Sequence, residues 1–238
     1  MTSRRVHLEL GGKAPVVIFG DADLEAAARG VREAGFWNAG QECGSACRVL
    51  VHESVAAEFT DLLIREVSQI SLGAPGAGTD VEMGPMISGA HYRRVLSALD
   101  DIRADGLTFA LGGHALEGPG YFIEPTIVTG VPAGAEVAST EIFGPVVSIE
   151  TFGTDEEAVE RSNETQYGLA ASVWTTNASR ALSVPRRLDF GTVWVNTHLV
   201  IANEVPWGGF KGSGYGRDLS IYALEDFSRT KHVMYHHG

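Results

Sequence analysis

The chain has 238 residues, 44% of them hydrophobic and 20% charged, which is enough apolar material for one large domain or two small ones. Its formal net charge of −12 argues against non-specific binding to nucleic acid or to an anionic membrane surface. With only two cysteines it cannot be a disulfide scaffold, and a reducing cytoplasm is the expected location.

Strand-like and helix-like patterns alternate along the chain. Short apolar runs predict strands, and amphipathic runs behind polar capping residues predict helices. The predicted strands span residues 15–19, 48–52, 108–111, 121–128, 146–152, 170–174 and 192–195. The predicted helices begin after residues 21–23 and at 54, 88, 154, 178 and 219.

Strands separated by helices indicate βαβ units, and therefore an α/β fold with a mostly parallel sheet covered by helices on both faces. We expect three layers and about five strands, a usual sheet size. A Gly-rich loop at 208–216 leads into the last helix, and a strand-like run follows at 231–235.

Two segments carry a candidate nucleophile and its base. Cys43 lies in the run FWNAGQECGSACR (36–48), about thirty residues after LELGGK (8–13), which contains Glu9. A thiol and a carboxylate can form such a pair. Alone, Cys43 is compatible with a buried inert thiol and Glu9 with a solvated strand residue, but the two contexts together favour catalysis. We interpret Cys47 as structural.

Two further segments carry polar and aromatic side chains suited to ligands. In EIFGPV (141–146), the carboxylate of Glu141 can accept hydrogen bonds from two hydroxyls, and the ring of Phe143 can position a flat group. A capped turn before a strand explains only part of this segment. The run PWGGFKGSGYGR (206–217) lacks the spacing of a phosphate loop and favours a tight structural loop.

These four segments, in this order, resemble the NAD(P)-dependent aldehyde dehydrogenases, from Val6 to about Tyr235. The resemblance implies a three-layer catalytic domain with a C-terminal helix and an oligomerisation strand. It also implies that Cys43 forms a thioester with a small aldehyde and that Glu9 activates the hydrolytic water. Glu141, Phe143 and Leu10 would then hold NAD, with NADP left open, and no metal is expected.

Within that family, the chain resembles the 4-aminobutyraldehyde, or aminoaldehyde, branch. Glu42 directly precedes Cys43, the run WVNTH spans 194–198, and Glu204 stands shortly before Pro206. Acidic groups along a funnel would attract an ammonium substrate, although either glutamate could instead face solvent.

Two more side chains receive roles from the resemblance. Trp207 is assigned to the substrate. Glu225 matches a glutamate on the path of the active-site water, and an exposed helix residue explains it almost equally well.

The resemblance does not extend to one part of the family, a long dinucleotide-binding half that precedes the glutamate segment. We therefore interpret residues 1–10 as a remnant strand of that half, 11–208 as the catalytic domain, and 209–238 as a C-terminal loop, helix and oligomerisation strand. In one hypothesis the chain is a catalytic portion completed by a separate chain carrying the NAD-binding half. In the other it is a truncated, silent fragment that folds and self-associates. Both include a homo-oligomer joined through 231–235.

Overall fold

The computed structural model describes residues 6–76, 78 and 80–238. The part of the predicted N-terminal remnant strand before residue 6 therefore lies outside the described residues. Alternating strands and helices make up the described chain. The strands are β1 (Leu8–Glu9), β2 (Pro15–Ile18), β3 (Arg48–His52), β4 (Thr108–Leu111), β5 (Thr126–Thr129), β6 (Val146–Phe152), β7 (Ala170–Trp174), β8 (Thr192–Val195) and β9 (Gly214–Tyr215). The helices are α1 (Leu24–Phe36), α2 (Ala56–Val67), α3 (Gly89–Ala104), α4 (Glu136–Ser139), α5 (Asp155–Asn163), α6 (Ala178–Ser183) and α7 (Ser220–Asp226).

Seven of the described strands form one sheet in the order β4-β5-β6-β3-β2-β7-β8. Five of its pairings are parallel, and only β4 runs antiparallel to its neighbour β5. The expected parallel α/β architecture is confirmed. The expected count of about five strands is wrong, because β4 and β5 extend the sheet at one edge, where β5 begins directly after Pro125.

Helices cover the sheet on both faces, so the fold has three layers. Alternate residues of β2 point to opposite sides, as a pleated strand requires. Val16 and Ile18 pack in one core with the buried sides of α1, α2 and α3. Val17 and Phe19 pack in a second core with Ala158 and Val159 of α5.

Helix starts follow the capping residues that the sequence indicates. Asp23 accepts a hydrogen bond from the Ala26 N–H at the start of α1, Ser88 accepts from His91 at α3, and Thr154 accepts from Glu157 at α5. The helix expected at 178–188 instead ends at Ser183 and continues as a short 3₁₀ turn, because Pro185 cannot donate a backbone hydrogen bond.

A second, small sheet joins the two ends of the described chain. β1 pairs antiparallel with β9, which places Glu9 opposite Gly214. The strand expected at 231–235 is absent from the structure: those residues are exposed and belong to no helix or strand. A strand needs a hydrogen-bonded neighbour, and the single chain provides none for this run.

No helix in the described part of the chain is long and apolar enough to cross a membrane.

Candidate active site

The sheet topology explains why segments far apart in sequence meet. The segments that contain Gly12, Cys43 and Glu141 lead directly into β2, β3 and β6. These three strands are neighbours and parallel, so their amino ends lie at the same edge of the sheet. The site therefore lies at the amino edge, whereas ligands of open parallel sheets usually bind at the carboxyl edge.

Two glycines allow the first and third segments to touch. The backbone N–H of Gly12 donates a hydrogen bond of 2.9 Å to Oε1 of Glu141. A Cβ on Gly11, where φ is +93°, would lie 2.3 Å from Oε2 of the same carboxylate. A Cβ on Gly12 would lie 2.4 Å from the carbonyl oxygen of Cys43. A side chain at Gly12 would meet backbone and push its segment away from that of Cys43, whereas one at Gly11 would displace the Glu141 carboxylate.

The segment before Cys43 packs equally closely on the one that follows Glu141. Three consecutive residues, Asn38, Ala39 and Gly40, have positive φ angles of 50°, 56° and 68°. A Cβ on Gly40 would lie 2.1 Å from the carbonyl oxygen of Gly144. This left-handed turn brings the cysteine segment against the 141–146 segment, as a single packed layer above the sheet edge.

A buried ion pair holds β3 against β6 just after the cysteine segment. Nε of Arg48 lies 2.7 Å from Oε1 of Glu150, and Nη2 of Arg161 lies 2.6 Å from Oε2 of the same carboxylate. Glu150 is fully buried, so these charges need each other. Sequence patterns gave no sign of this network, because each partner lies on a separate element.

Cys43 is half-buried, and its thiol forms a hydrogen bond with a carboxylate. Sγ donates to Oε1 of Glu42 over 3.2 Å, and the same oxygen accepts from the backbone N–H of Gly44 at 3.3 Å. Burial, the negative charge of Glu42 and this hydrogen bond raise the pKa of Cys43 to about 12, and the charge of Glu9 adds to the effect. The direction is opposite to the assistance that thiolate chemistry requires.

Glu9 lies in β1 at the mouth of the same site. Partial burial of its carboxyl and the negative charge of Asp218 raise its pKa, while Trp207 and His7 act in the opposite direction. A raised pKa suits a general base, because the conjugate acid then forms closer to neutral pH. Glu9 is also one of the two carboxylates whose charge reaches Cys43.

Asp218 is a site residue that the sequence analysis missed. It reaches Glu9 because its backbone pairs with that of Trp207 in an isolated antiparallel bridge, with hydrogen bonds of 2.7 and 2.9 Å. Nothing in the residue periodicity signals that bridge. His7, Glu9 and Asp218 each place one ligand atom within 4.8 Å of the others. The expectation that no metal binds therefore stays a prediction.

Glu141 and Phe143 stand at one side of the site, half-buried. Burial raises the pKa of Glu141, while the Gly12 N–H and the charges of Lys13 and Arg94 lower it. The Phe143 backbone has a positive φ of 58°, and its carbonyl accepts a 2.7 Å hydrogen bond from Nε2 of His91. His91 was also missed by sequence reasoning. It fixes the backbone that orients the Phe143 ring.

A buried histidine supports the residue after the cysteine. Nε2 of His198 donates to the carbonyl oxygen of Gly44 at 2.8 Å, so Nδ1 must accept from the hydroxyl of Ser172, also at 2.8 Å. Burial lowers the pKa of His198 to about 4, while the Gly44 hydrogen bond acts the other way. The ring also packs against that of Trp194, with the two centroids 4.7 Å apart and the planes tilted by 48°.

Trp207 lies between these groups. It is buried, its ring centroid is 6.0 Å from that of Trp194, and a Cβ on Gly44 would lie 3.0 Å from its ring. An open pocket of about 410 Å³ extends from this region, and Glu42 lines it. Its other lining residues are Glu33, Ala34, Trp37, His198, Leu199, Val200 and Ile201.

The remaining sequence-predicted residues make none of the hydrogen bonds described for Cys43. Leu10 is exposed, and its backbone N–H donates 3.0 Å to the carbonyl of Ser213. Glu204 is exposed in the loop before Trp207. Glu225 is exposed on α7 and lines a cleft with His7 and Tyr215. The charges of Asp218 and Glu42 both raise the pKa of Glu9.

The sequence is similar to known proteins over most of its length. A model of the aldehyde dehydrogenase family matches residues 1–233. The chloroplastic betaine aldehyde dehydrogenase of Amaranthus hypochondriacus is 40% identical over 230 residues, covering 96% of this chain and 46% of the relative. The peroxisomal aminoaldehyde dehydrogenase 1 of Pisum sativum is 38% identical over the same length, with the same coverage of both chains.

A solved structure has a similar fold. The betaine aldehyde dehydrogenase of Staphylococcus aureus, crystallised in complex with NAD+, superposes with a TM-score of 0.91 at 40% identity. The superposition covers 94% of this chain and 45% of that one. The chain thus spans about half the length of the curated relatives it matches. Because the family model covers nearly the whole chain, the protein belongs to the aldehyde dehydrogenase family.

Proposed function

We propose that this chain supplies the catalytic residues for oxidation of an aldehyde to its carboxylic acid with NAD, through a thioester on Cys43. The observation that carries the proposal is the convergence at Gly12, whose N–H binds Glu141 while its Cα packs on the carbonyl of Cys43. The candidate nucleophile and the candidate cofactor ligand thus share one backbone position. NADP remains an alternative cofactor.

The first role belongs to Cys43. Its sulfur, once deprotonated, adds to the aldehyde carbon, and the carbonyl oxygen becomes an oxyanion that needs a donor. The backbone N–H of Cys43 favours the thiolate by lowering the pKa of Sγ, and it is the candidate donor to that oxyanion. The carbonyl of Gly44, fixed by His198, restricts the movement of this turn.

The residues present fit the nicotinamide riboside end of NAD. Oε1 of Glu141 is held by Gly12, while Oε2 stands over the bare Cα of Gly11, in a space that a Cβ would fill. A carboxylate in that position can accept from ribose hydroxyls, and the half-buried Phe143 ring offers a flat face. When bound there, NAD would supply the hydride acceptor for the oxidation. Leu10 is the remaining candidate contact, through its exposed side chain.

The last role belongs to Glu9, which takes a proton from the water that hydrolyses the thioester. Glu9 is exposed enough to meet water, while partial burial and the charge of Asp218 keep the pKa of its carboxyl above the ordinary value. Glu225 is the candidate carboxylate on the path of that water.

The proposed substrate is an aldehyde that carries a cationic nitrogen, with 4-aminobutyraldehyde as the first choice. Glu42 provides a negative charge beside Cys43, and Trp37 in the same pocket offers an aromatic face to a cation. Two of the relatives are named for aminoaldehyde and betaine aldehyde, which supports this class of substrate. Glu204 is the second candidate charge, and Trp207 the candidate wall beside the thiol.

The test is NADH formation from 4-aminobutyraldehyde by the 238-residue chain, with and without the product of any reading frame directly upstream. We expect turnover when the dinucleotide-binding half is present, complete loss in Cys43→Ser, and a burst of NADH followed by slow turnover in Glu9→Gln. Turnover that persists in Cys43→Ser would refute the assignment.

The second hypothesis is a silent fragment that folds and self-associates through residues 231–235. Those residues are exposed and unpaired as a strand, which favours an intermolecular role. A folded homo-oligomer that never forms NADH, even with the other half supplied, would establish it.

A further inference from the structure

Glu42 and Cys43 are neighbours in sequence, and their side chains also form a hydrogen bond. A single carboxylate oxygen, Oε1 of Glu42, accepts from the Cys43 thiol at 3.2 Å and from the Gly44 N–H at 3.3 Å. The carbonyl of Glu42 accepts from the Ser45 N–H as well, at 3.2 Å. Three contacts therefore fix the glutamate across the turn, with its carboxylate on the sulfur.

This arrangement opposes attack by Cys43. A carboxylate can only accept, so the hydrogen bond exists only while the sulfur carries its proton. Loss of that proton would leave two negative groups about 3 Å apart, a repulsion that a half-buried site screens poorly. Glu9 adds a second negative charge from the other side. His198, the nearest imidazole, is neutral above pH of about 4 and offers no compensating charge.

The same carboxylate also faces the pocket lined by Trp37 and by the apolar run Leu199, Val200 and Ile201. A cation seated there would meet the charges of Glu42 and of Glu33, which lines the same pocket, together with the face of an aromatic ring and several apolar side chains. An ion pair formed in such surroundings competes directly with the thiol for the carboxylate.

We propose that Glu42 holds Cys43 in its protonated thiol form while the pocket is empty, and that the cationic nitrogen of the substrate releases the thiol by pairing with Glu42. The substrate thus activates its own nucleophile. A neutral aldehyde of the same length would bind beside a cysteine that keeps its proton. The inference rests on the proposed function only for the ammonium character of the substrate.

The test measures the reactivity of Cys43 in the 238-residue chain, without cofactor or aldehyde. The chain is treated with iodoacetamide from pH 6 to 10. Mass spectrometry then follows the tryptic peptide 33–48, in which fragment ions separate Cys43 from Cys47. In Glu42→Gln, the Cys43 profile should move to lower pH. Each unit of that movement makes labelling at pH 8 about fourfold faster, after allowance for the lower nucleophilicity of a less basic thiolate.

The second arm uses a substrate-like cation that cannot react as an aldehyde. We expect 4-amino-1-butanol to accelerate labelling of Cys43 in the unmodified chain, saturably and several-fold. The neutral analogue of the same shape, 1-pentanol, should not. Neither compound should change the rate in Glu42→Gln, and Cys47 in the same peptide reports any general change in accessibility.

Glu117→Gln is the matched control. Glu117 is an exposed residue of the segment between β4 and β5, outside the pocket that Glu42 lines. The variant removes the same charge and should label at Cys43 within about twofold of the parent chain, because one distant surface charge is strongly screened.

Three results would overturn the inference: unchanged or slower labelling in Glu42→Gln, equal acceleration in Glu117→Gln, or an amine effect that persists without Glu42. If Glu42→Gln does not fold, absence of the amine effect in the unmodified chain overturns it alone. The proposed function fails separately. NADH formation without any amine effect would support the proposed dehydrogenase function and exclude the control of Cys43 by Glu42. An amine effect without NADH formation, even with the dinucleotide-binding half supplied, would support that control and contradict the proposed function.

Discussion

The backbone N–H of Gly12 lies 2.9 Å from Oε1 of Glu141, a residue 129 positions later in the chain. On its other side, the Cα of Gly12 faces the carbonyl oxygen of Cys43 so closely that a Cβ would lie 2.4 Å from it. One residue without a side chain therefore sets the distance between the candidate nucleophile and the candidate cofactor ligand.

The first prediction concerns this position. Gly12→Ala should lower the free energy of unfolding by about 1–3 kcal/mol, because the added methyl group meets rigid backbone and the cysteine segment must move. Urea unfolding measures the loss. Gly84→Ala is the control, since a Cβ there meets nothing within 4 Å, and it should change stability little. Equal effects of the two substitutions would show that the close packing at Gly12 is unimportant.

The second prediction concerns the pH dependence of Glu9. Asp218 raises the pKa of Glu9, so Asp218→Asn should lower it. Glu9 acts as a base only when ionised, and the acid limb of hydrolysis should therefore move to lower pH. Deacylation after reaction with 4-nitrophenyl acetate, followed from pH 4 to 9, provides the measurement.

Asp101→Asn removes one charge from the exposed side of α3 and should leave that limb in place. A limb that moves to higher pH in Asp218→Asn would mean that Asp218 assists ionisation of Glu9 rather than opposing it.

The third prediction concerns stability in acid. The pKa of His198 is about 4 in the folded chain, well below its unfolded value of about 6.5. The unfolded state therefore takes up the proton first, and stability is lost as pH falls from about 6.5 to 4. At pH 5.0 the loss should be about 2 kcal/mol relative to pH 7.5.

His198→Gln cannot titrate, and its amide can still donate to the Gly44 carbonyl. Urea unfolding of this variant should show a smaller difference between pH 7.5 and 5.0, by about the same 2 kcal/mol. The exposed His114→Gln serves as the control and should retain the full difference. Identical pH dependence in all three chains would exclude His198 as the responsible group.

The fourth prediction separates the two candidate substrate carboxylates. Glu42 contacts the Cys43 thiol, whereas Glu204 is exposed in a loop. In the completed enzyme, Glu42→Gln should raise KM for 4-aminobutyraldehyde more than Glu204→Gln does, with little change for butyraldehyde. Steady-state kinetics with both aldehydes decides the matter, and a parallel change for the two substrates would contradict an ammonium site.

The sequence predicted the sheet and the motif residues for a physical reason. Apolar runs such as 15–19 and 48–52 are buried on both sides, and burial of that kind leaves a local signature. Cys43, Glu9 and Glu141 lie in segments that resemble one family over the whole chain, and that family is confirmed. Their individual roles stay predictions.

Other features could not be predicted, because they depend on contacts between distant elements. Asp218 reaches Glu9 only through its bridge to Trp207, and His198 reaches Gly44 only after the chain turns back from β8. The strand expected at 231–235 requires a neighbour that a sequence pattern cannot supply. The rise in the pKa of Cys43 also could not be predicted. It depends on the hydrogen bond between the thiol and the Glu42 carboxylate, which adjacency in the sequence does not reveal.

The location of the site at the amino edge of the sheet constrains chain length in a particular way. Only two residues separate Gly12 from β2, and four separate Cys43 from β3 and Glu141 from β6. An insertion in any of these spacers would lift a functional group off the edge, whereas an insertion before the motif would be absorbed by the preceding loop. Among related chains, the number of residues between motif and strand should therefore vary less than the number between one motif and the next.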